Sequence, residues 1–371
     1  MRLATFNVEN LFERAKIMNL EHWSDGKAVL ADYKKFTEII EKPVYSTADK
    51  AALIATMKKY PGLLTNGVST YVRLRENKGK LVRTQGGQRV IAASGRGDWI
   101  GWFELEKEPV KEAAIENTAR VIQAVNADVL GVVEAENRTG LLQFNEIVLP
   151  QIGGTPYAHA MLIDGNDERG IDVGILTKGH LPIQTMRSHV DDRDAQDKRV
   201  FSRDCPEYHI SLGGGQTFVV MLNHLKSKGY GSAAESNARR EAQAQRVRDI
   251  YEERKLQGYT HIAIMGDLND TPDSNPLKPL LGNGSDLKDV FGHSSFNDQG
   301  RPGTHDNCTA SGKLDYILLS PVLWNAVVQG SVERRGAWGG IHGTLWPHFP
   351  EVETAVDAAS DHVAVWVDLN I

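Results

Sequence analysis

The sequence predicts an α/β fold in which buried strands alternate with helices along most of the chain. Three short apolar runs, at residues 129–133, 218–222 and 263–266, each end in polar side chains. Such runs are typical of buried strands that deliver polar groups at their C-terminal ends. Helical spacing of apolar residues at 110–126 and 233–256 places a helix before two of these strands. Because α/β proteins carry out their chemistry at strand ends, we expect the functional site there.

The composition is that of an ordinary soluble globular enzyme. Of the 371 residues, 41% are hydrophobic and 24% are charged. No apolar run approaches the roughly 20 residues that cross a bilayer. The net charge of −6 argues against a polycation that coats nucleic acid, but it leaves a local basic face open. Residues 1–10 lack the features of a secretory signal, so the chain as written is expected to be cytoplasmic, with secretion of a longer precursor left open.

The two cysteines, Cys205 and Cys308, are far apart and have no metal-binding spacing. A zinc site or a disulfide framework is therefore not indicated. A single disulfide between the two residues is left open.

The first predicted strand covers residues 2–8 and is expected to be half buried, because polar and apolar residues alternate. Asn7 lies near its end, where it either caps a turn or offers its amide oxygen to a metal ion. Glu134 closes the strand at 129–133 in the same way. A carboxylate at a strand end is often only solvated, and the alternative is a metal ligand.

Residues 13–108 differ in character from the rest of the chain. A helix is predicted to begin near Ser46 or Thr47 and to end before Pro61. Two hairpins are predicted next, one pairing 71–74 with 81–82 and the other pairing 90–91 with 99–105.

The hairpin region carries a local surplus of positive charge. Between residues 68 and 100 the sequence has seven Lys or Arg residues and two acids, near Trp99, Trp102 and Phe103. One interpretation is a solvated hairpin surface with aromatic residues packed beneath it. The other is an arm that follows phosphates and stacks bases, as single-stranded nucleic-acid sites require.

A helix near 141–149 and strands at 157–163 and 171–176 follow. Arg169, between those strands, either holds a phosphate with its bidentate guanidinium group or pairs with Asp167 or Asp172. The segment at 187–204 mixes charges of both signs and is expected to be an exposed loop.

The strand at 218–222 runs directly into Asn223, His224 and Lys226. A single histidine is often only a structural hydrogen-bonding residue. After a buried strand and beside lysines, however, His224 is well placed to contact an anionic transition state. Asn223 and Lys226 are candidate phosphate contacts.

Asp267 and Asn269 follow the apolar run at 263–266, where they either form an ordinary turn or supply catalytic groups. Asp315 lies inside an apolar strand at 313–320, and an ionised carboxylate there is costly unless it has a partner. His362, at the start of the last predicted strand, is a candidate for that partner.

Residues 334–359 form a long loop rich in glycine and aromatic residues. Most aromatic rings of this kind only pack a loop against the core. A loop of this length in a compact domain is also often functional, so Trp338 and Trp346 are candidates for the wall of a substrate pocket.

The polar strand ends together resemble a known family. The motifs are TFN at 5–7, VVEAEN at 132–137, NHLKS at 223–227, GDLND at 266–270, KLDYIL at 313–318 and SDH at 360–362. In this order they resemble the endonuclease/exonuclease/phosphatase superfamily, whose fold is that of deoxyribonuclease I. The residues of the NHLKS and GDLND motifs are most similar to those of bacterial nuclease-type members. The resemblance covers 1–12 and 109–371 and leaves 13–108 without a counterpart.

The resemblance implies a four-layer α/β sandwich, in which two mixed β-sheets pack face to face with helices outside. We expect a single domain over 1–371, with 13–108 as a helix-plus-hairpin insertion that is an accessory lobe or a decoration of the sandwich. The site is expected at one edge of the two sheets.

The resemblance also implies roles for individual residues. Glu134 would bind Mg²⁺ or Mn²⁺, with help from Asn7 and Asp361. Asp267 would orient or deprotonate the attacking water, and Asn269 would hold the phosphate. His224 and His362, the latter oriented by Asp315, would contact phosphoryl oxygens. An oxygen-rich site of this kind favours Mg²⁺ or Mn²⁺ over zinc.

The leading functional hypothesis is a metal-dependent phosphodiester hydrolase, namely a nuclease that acts on DNA or RNA. The alternative is a phosphatase or phosphodiesterase for a small or lipid-linked phosphate. A third hypothesis, an inactive binding module, would be indicated by loss of Glu134, Asp267 or His362, and all three are present.

Overall fold

The structure is a computed structural model that describes residues 1–18, 23–167, 169–228 and 232–371. Its described part divides into two compact units. The sandwich unit contains Met1–Phe12, Val110–Lys228 and Ser232–Ile371, and the inserted unit contains Glu13–Pro109. The organisation as one domain with an insertion stays a prediction.

The strands are numbered in chain order. They are β1 (Arg2–Asn7), β2 (Glu13–Ala15), β3 (Val72–Lys78), β4 (Val82–Gln85), β5 (Gln88–Ile91), β6 (Ile100–Leu105), β7 (Lys107–Pro109), β8 (Val129–Ala135), β9 (His159–Leu162), β10 (Asp172–Thr177), β11 (Ile183–Arg187), β12 (Glu207–Gly213), β13 (Gln216–His224), β14 (His261–Asp267), β15 (Lys288–Asp289), β16 (Phe296–Asn297), β17 (Asp315–Leu319), β18 (Val327–Glu333) and β19 (Ala364–Leu369).

The α-helices are α1 (Trp23–Ile40), α2 (Thr47–Met57), α3 (Glu112–Val125), α4 (Arg138–Gln143), α5 (Leu149–Gln151), α6 (Ala233–Leu256), α7 (Lys278–Leu281) and α8 (Pro321–Asn325). A π-helical turn, Phe144–Val148, joins α4 to α5. Short 3₁₀ turns lie at Lys16–Met18, Arg96–Asp98, Asn275–Leu277, Val290–Gly292, Ala310–Gly312 and Ala355–Asp357. Among the described residues, none of the helices combines the length and the apolar character that a membrane-spanning segment needs.

The sandwich unit is built on two mixed β-sheets. The seven-stranded sheet has the order β16-β18-β19-β1-β8-β10-β9, and the six-stranded sheet has the order β11-β12-β13-β14-β17-β15. Leu3 and Val129 of the larger sheet share one core cluster with Val220 and Met265 of the smaller sheet. The apolar core therefore lies between the sheets.

Helices cover the outer faces of the two sheets. Val121 of α3 packs with Phe6 on the larger sheet, and Val247 of α6 packs with Ile264 on the smaller one. The four-layer sandwich implied by the resemblance is thus confirmed. It also explains why β1 is buried on both faces rather than half buried, as its alternating pattern had suggested.

Two glycines are required where the sheets and strands approach closely. A Cβ atom on Gly131 of β8 would lie 2.6 Å from Leu222 Cδ2, across the gap between the sheets. Gly266 in β14 has a φ of 128°, and a Cβ atom there would lie 2.0 Å from the carbonyl oxygen of Asn223. Only glycine fits these positions, and both lie next to the strand ends that carry the polar groups.

The inserted unit has a hydrophobic core of its own, in which Phe36 of α1 stacks on Phe103 of β6 at 4.2 Å. Helix α2 begins after Ser46, which forms a capping box with Asp49, as the sequence predicts for this start. Helix α1 was not predicted. Its buried residues recur at helical spacing and would have indicated it: Leu30, Tyr33, Phe36 and Ile40.

The predicted pairing of the two hairpins was wrong. Strand β3 pairs with β6, and β4 pairs with β5. Gly86 and Gly87, both with positive φ, form the two-residue turn between β4 and β5. A Gly-Gly pair at this position favours a tight hairpin between β4 and β5.

The basic surplus of the inserted unit is partly neutralised. Arg75 Nε lies 2.6 Å from Glu104 Oε1, and Arg73 donates to Glu106. Both acids lie on or beside β6, just after residues 68–100, the segment in which the surplus of positive charge was counted. Trp99 and Phe103 are buried, whereas Trp102 is 41% exposed.

Candidate active site

The predicted strand ends converge at one edge of the sandwich unit. Strands β1 and β8 are parallel, as are β13 and β14, so each pair ends at the same edge. Strand β17 is antiparallel to β14 and places Asp315 opposite Asp267. We call the resulting group the edge cluster: Asn7, Glu134, His224, Asp267, Asp315 and His362.

Asp267 lies at the centre of the edge cluster with only 3% of its side chain exposed. Asn7 Nδ2 donates to Asp267 Oδ2 at 3.3 Å, and the backbone N–H of Asn269 donates to Asp267 Oδ1 at 2.8 Å. Burial and the neighbouring carboxylate of Asp315 raise the pKa of Asp267 to about 7, although His362 acts in the opposite direction. At neutral pH this carboxylate is therefore poised to accept a proton.

His362 and Asp315 form a buried pair, with 2.7 Å between His362 Nδ1 and Asp315 Oδ2. The partner that the buried Asp315 was expected to need is thus present. Because a carboxylate accepts, Nδ1 carries the proton, and Nε2 faces Asp267 Oδ2 at 3.9 Å. Burial disfavours the imidazolium, but the charge and hydrogen bond of Asp315 outweigh it and raise the pKa of His362 well above its ordinary value.

Hydrogen bonds hold both members of this pair in place. Thr304 Oγ1 accepts from the backbone N–H of Asp315 at 3.0 Å. Ser360 Oγ accepts from the His362 backbone at 3.0 Å and donates to the carbonyl of Asn7 at 2.8 Å. The short segment before β19 is thereby tied to the end of β1.

His224 and Glu134 lie on the other side of Asp267. His224 Nε2 is 3.6 Å from Glu134 Oε1 and 3.7 Å from Asp267 Oδ2. Complete burial and the guanidinium groups of Arg203 and Arg169 outweigh the carboxylate of Asp167 and hold the pKa of His224 well below its ordinary value. His224 is therefore neutral at pH 7.

Glu134 has a left-handed backbone conformation, with a φ of 67°. Such a conformation is uncommon in a residue other than glycine and costs of order 1 kcal/mol. The pairing of β8 with β10 is irregular at this residue, because Ala135 and Val133 lie opposite the consecutive residues Asp172 and Val173, and the Glu134 carboxylate lies 3.6 Å from His224 Nε2.

Arg203 lies beside the edge cluster. The prediction that it belongs to an exposed loop at 187–204 was wrong. Its side chain is 3% exposed, and its Nη1 donates to the carbonyl of Leu225 at 3.2 Å. Asp167 pairs with both Arg203 and Arg169, at 2.9 and 2.7 Å. Although burial opposes it, these two cations lower the pKa of Asp167 well below its usual range. Of the two interpretations of Arg169, pairing with Asp167 is present, and its contact with phosphate stays a prediction.

The structure does not support a substrate contact for Asn223. This residue is fully buried, and its amide faces the Met221 carbonyl at 3.4 Å. Alternation along β13 points its side chain away from the face that His224 occupies. Lys226 follows at the strand end, with Nζ 3.2 Å from the carbonyl of Ser227, and its contact with phosphate stays a prediction.

The loop at 334–359 has little regular structure, as predicted, and its two tryptophans have different surroundings. Trp346 donates to the Ala337 carbonyl at 2.8 Å and packs against the core between the sheets, so it serves to pack the loop. Trp338 stacks on His348 with 5.1 Å between ring centroids. A role for either ring in a substrate pocket stays a prediction.

The donor groups at the edge fit a divalent cation. Three carboxylates, those of Glu134, Asp267 and Asp315, lie close together, and burial makes their mutual repulsion costly. Within the described residues, two groups have ligand atoms within 4.8 Å of one another: Asp267 with Asp315 and His362, and His305 with Asp361 and His362. Asp361, predicted as a metal ligand, thus lies beside the cluster. His305 was not predicted.

Cys205 and Cys308 are both buried and free, so the disulfide that the sequence left open is not formed.

The structure is similar to solved proteins at low sequence identity. An endonuclease/exonuclease/phosphatase family protein from Bacteroides thetaiotaomicron matches with a TM-score of 0.50 and 17% identity, over 69% of this chain and 86% of that one. A truncated TDP2 from Caenorhabditis elegans matches with a TM-score of 0.47 and 17% identity, over 69% and 90% of the two chains. A mannosyl-6-phosphatase from B. thetaiotaomicron matches with a TM-score of 0.48 and 18% identity, over 70% and 92%.

No curated protein matches the chain significantly. The model of the Endonuclease/Exonuclease/phosphatase family matches residues 106–362, which is more than half of the chain and includes five of the six edge-cluster residues. This chain belongs to the endonuclease/exonuclease/phosphatase family.

Proposed function

We propose that the chain is a divalent-metal-dependent phosphodiesterase and that its natural substrate is DNA or RNA. The edge cluster carries the first part of this proposal, because it joins a buried carboxylate with a pKa of about 7 to a His–Asp pair and to oxygen ligands. The family consists of phosphoester hydrolases, and hydrolysis of a phosphodiester needs these groups.

A phosphodiester is anionic and repels hydroxide, so its hydrolysis needs charge neutralisation, an in-line water and donors for the developing charge. Mg²⁺ or Mn²⁺ would be held by Glu134 and Asn7 with help from Asp361, and when bound it neutralises the phosphoryl charge. Asp267 orients the attacking water and accepts its proton.

The remaining members of the site bind the phosphoryl group. His362 Nε2 donates to a phosphoryl oxygen, and Asp315 fixes its tautomer and orientation. Neutral His224 donates from the opposite side of Asp267. The Asn269 amide, which also donates to the Leu225 carbonyl at 3.1 Å, has a second N–H for the phosphate.

The inserted unit supports the polymer part of the proposal. Trp102 is exposed on β6, directly across from Arg75 of β3, which also pairs with Glu104, and Lys78 lies across from exposed Ile100. A ring beside cationic side chains is the arrangement that single-stranded nucleic acids bind through stacking and phosphate contacts.

This part is tested by hydrolysis of single-stranded DNA, duplex DNA, RNA and bis-p-nitrophenyl phosphate with Mg²⁺ or Mn²⁺. We expect wild-type protein to cleave at least one polymer and the small diester. Trp102→Ala is expected to weaken polymer cleavage by about 5- to 100-fold, the size of one lost base-stacking contact, without changing turnover of the small diester. Val44→Ala, at another exposed apolar residue of the same unit, is the matched control.

Turnover of the small diester without cleavage of any polymer would contradict the nucleic-acid substrate and favour a small or lipid-linked phosphate. Failure to hydrolyse any substrate with any metal would contradict the enzyme itself and favour a binding module.

A further inference from the structure

His305 and Asp361 form a polar group beside His362. Asp361 is a helper ligand in the proposed function, but His305 has no role in it. His305 Nε2 lies 3.3 Å from Asp361 Oδ2, and His362 Nε2 lies 3.9 Å from Asp361 Oδ1. We propose that His305, Asp361 and His362 bind a transition-metal ion such as Zn²⁺, and that this ion inhibits hydrolysis by occupying His362 Nε2. This site shares Asp361 with the proposed Mg²⁺ or Mn²⁺ site, but its other two ligands are imidazoles, whereas the Mg²⁺ or Mn²⁺ site is built on Glu134 and Asn7.

The geometry of the three side chains fits one ion. Zinc binds imidazole nitrogen and carboxylate oxygen at about 2.1 Å, so ligand atoms in a tetrahedral site lie about 3.4 Å apart. The 3.3 Å separation from His305 Nε2 to Asp361 Oδ2 is close to that value, His362 Nε2 lies 3.9 Å from the other oxygen of Asp361, and one ligand atom from each of the three residues lies within 4.8 Å of the other two. Small rotations of the side chains bring the atoms into position around an ion.

The backbone holds His305 in place next to the SDH motif. His305 and His362 form an antiparallel bridge. The N–H of Asp306 donates to the Asp361 carbonyl at 2.8 Å, and the N–H of Val363 donates to the Thr304 carbonyl at 2.8 Å. The ligands are therefore preorganised by the fold and do not depend on a loose loop.

The ligand types favour a transition metal over magnesium. Two imidazoles and one carboxylate suit zinc, cobalt or nickel, whereas Mg²⁺ prefers oxygen ligands. His362 already donates from Nδ1 to Asp315, and a carboxylate behind a histidine is the usual support for a metal-binding Nε2. The side chains of His305 and Asp361 are 35% and 47% exposed, so an ion can enter and keep an open coordination position.

Inhibition follows because Nε2 of His362 has one position for a proton or a metal. With an ion bound there, His362 has no proton to donate to a phosphoryl oxygen. This consequence rests on the proposed function, whereas binding of the ion does not.

Metal binding is measured directly, by competition of Zn²⁺ with a chromophoric chelator and by the visible absorption of Co²⁺ bound to the protein. His305→Gln and Asp361→Asn are expected to weaken Zn²⁺ binding at least about tenfold and to reduce the Co²⁺ absorption. His180→Ala, at an exposed histidine in the loop after β10, is the matched control and is expected to bind both ions as wild type does. In the Mg²⁺ assay, the Zn²⁺ concentration for half-inhibition, relative to each variant's own rate, is expected to rise at least about tenfold in His305→Gln.

The outcomes separate this inference from the proposed function. Unchanged Zn²⁺ affinity in His305→Gln would overturn it, as would loss of binding in Asp361→Asn alone, since His305 would then only position that carboxylate. Zinc that binds at this site without inhibiting an active enzyme would overturn the inhibitory part. Binding that depends on His305 in a protein without hydrolytic activity would support the metal site and contradict the proposed function instead.

Discussion

Replacement of Asp267 with asparagine is expected to lower metal-dependent phosphodiester hydrolysis by about 100- to 10,000-fold, the contribution of a positioned general base. Asparagine has nearly the same shape, and its oxygen can still accept from the Asn269 backbone, but its NH2 group can accept neither from Asn7 Nδ2 nor a proton from water. The raised pKa of Asp267 shows that the folded protein disfavours its charge. We therefore expect the variant to fold with a melting temperature no lower than that of the wild type.

The measurement is the rate of bis-p-nitrophenyl phosphate hydrolysis at saturating metal, with thermal melting of each variant. Asp273→Asn is the matched control, because Asp273 is exposed in the loop that follows the site. An Asp267→Asn protein that keeps more than about a tenth of the wild-type rate would exclude Asp267 as the general base.

Replacement of His362 with alanine is expected to lower the rate by about 100- to 1,000-fold, the usual effect of losing one donor to the developing charge. Asp315 acts through His362, with which it shares a 2.7 Å hydrogen bond, so Asp315→Asn is expected to produce much of the same loss. Because the two residues act as one unit, the double variant should be no slower than His362→Ala alone.

Single and double variants are compared by kcat and KM for the same substrate, with His180→Ala as the control for loss of a histidine. Multiplicative losses in the double variant would mean that Asp315 and His362 act independently. That result would contradict the proposal that Asp315 acts by orienting His362.

Much of the candidate site could be predicted from the sequence. An apolar run that ends in a polar residue indicates a buried strand and shows which residue lies at the edge of the sheet. Asn7, Glu134, His224 and Asp267 are candidates selected in this way, and parallel pairing brings together the ends of β1 and β8 in one sheet and of β13 and β14 in the other. The pairing of Asp315 with His362 followed from the cost of a buried charge without a partner.

Other features depend on tertiary contacts that leave no local signal. Arg203 lies in a segment of mixed charge that resembles an exposed loop. Its burial depends on an ion pair with Asp167 and a hydrogen bond to the Leu225 carbonyl, and both partners are distant in sequence. His305 reaches the site because its backbone pairs with His362, some 57 positions away in sequence. The burial of Asn223 on the face of β13 opposite His224 follows from the alternation of the strand, which the motif alone does not indicate.

If the edge cluster is a divalent-metal-dependent phosphoester hydrolase site, its activity must follow the metal concentration and depend on Glu134. Bis-p-nitrophenyl phosphate hydrolysis is measured after treatment with EDTA and then as Mg²⁺ or Mn²⁺ is added back, for wild type and Glu134→Gln. We expect EDTA to abolish the activity, either ion to restore it, and Glu134→Gln to need at least about ten times more metal for half-maximal rate. Hydrolysis that persists in EDTA, or a Glu134→Gln titration that matches the wild type, would contradict the account.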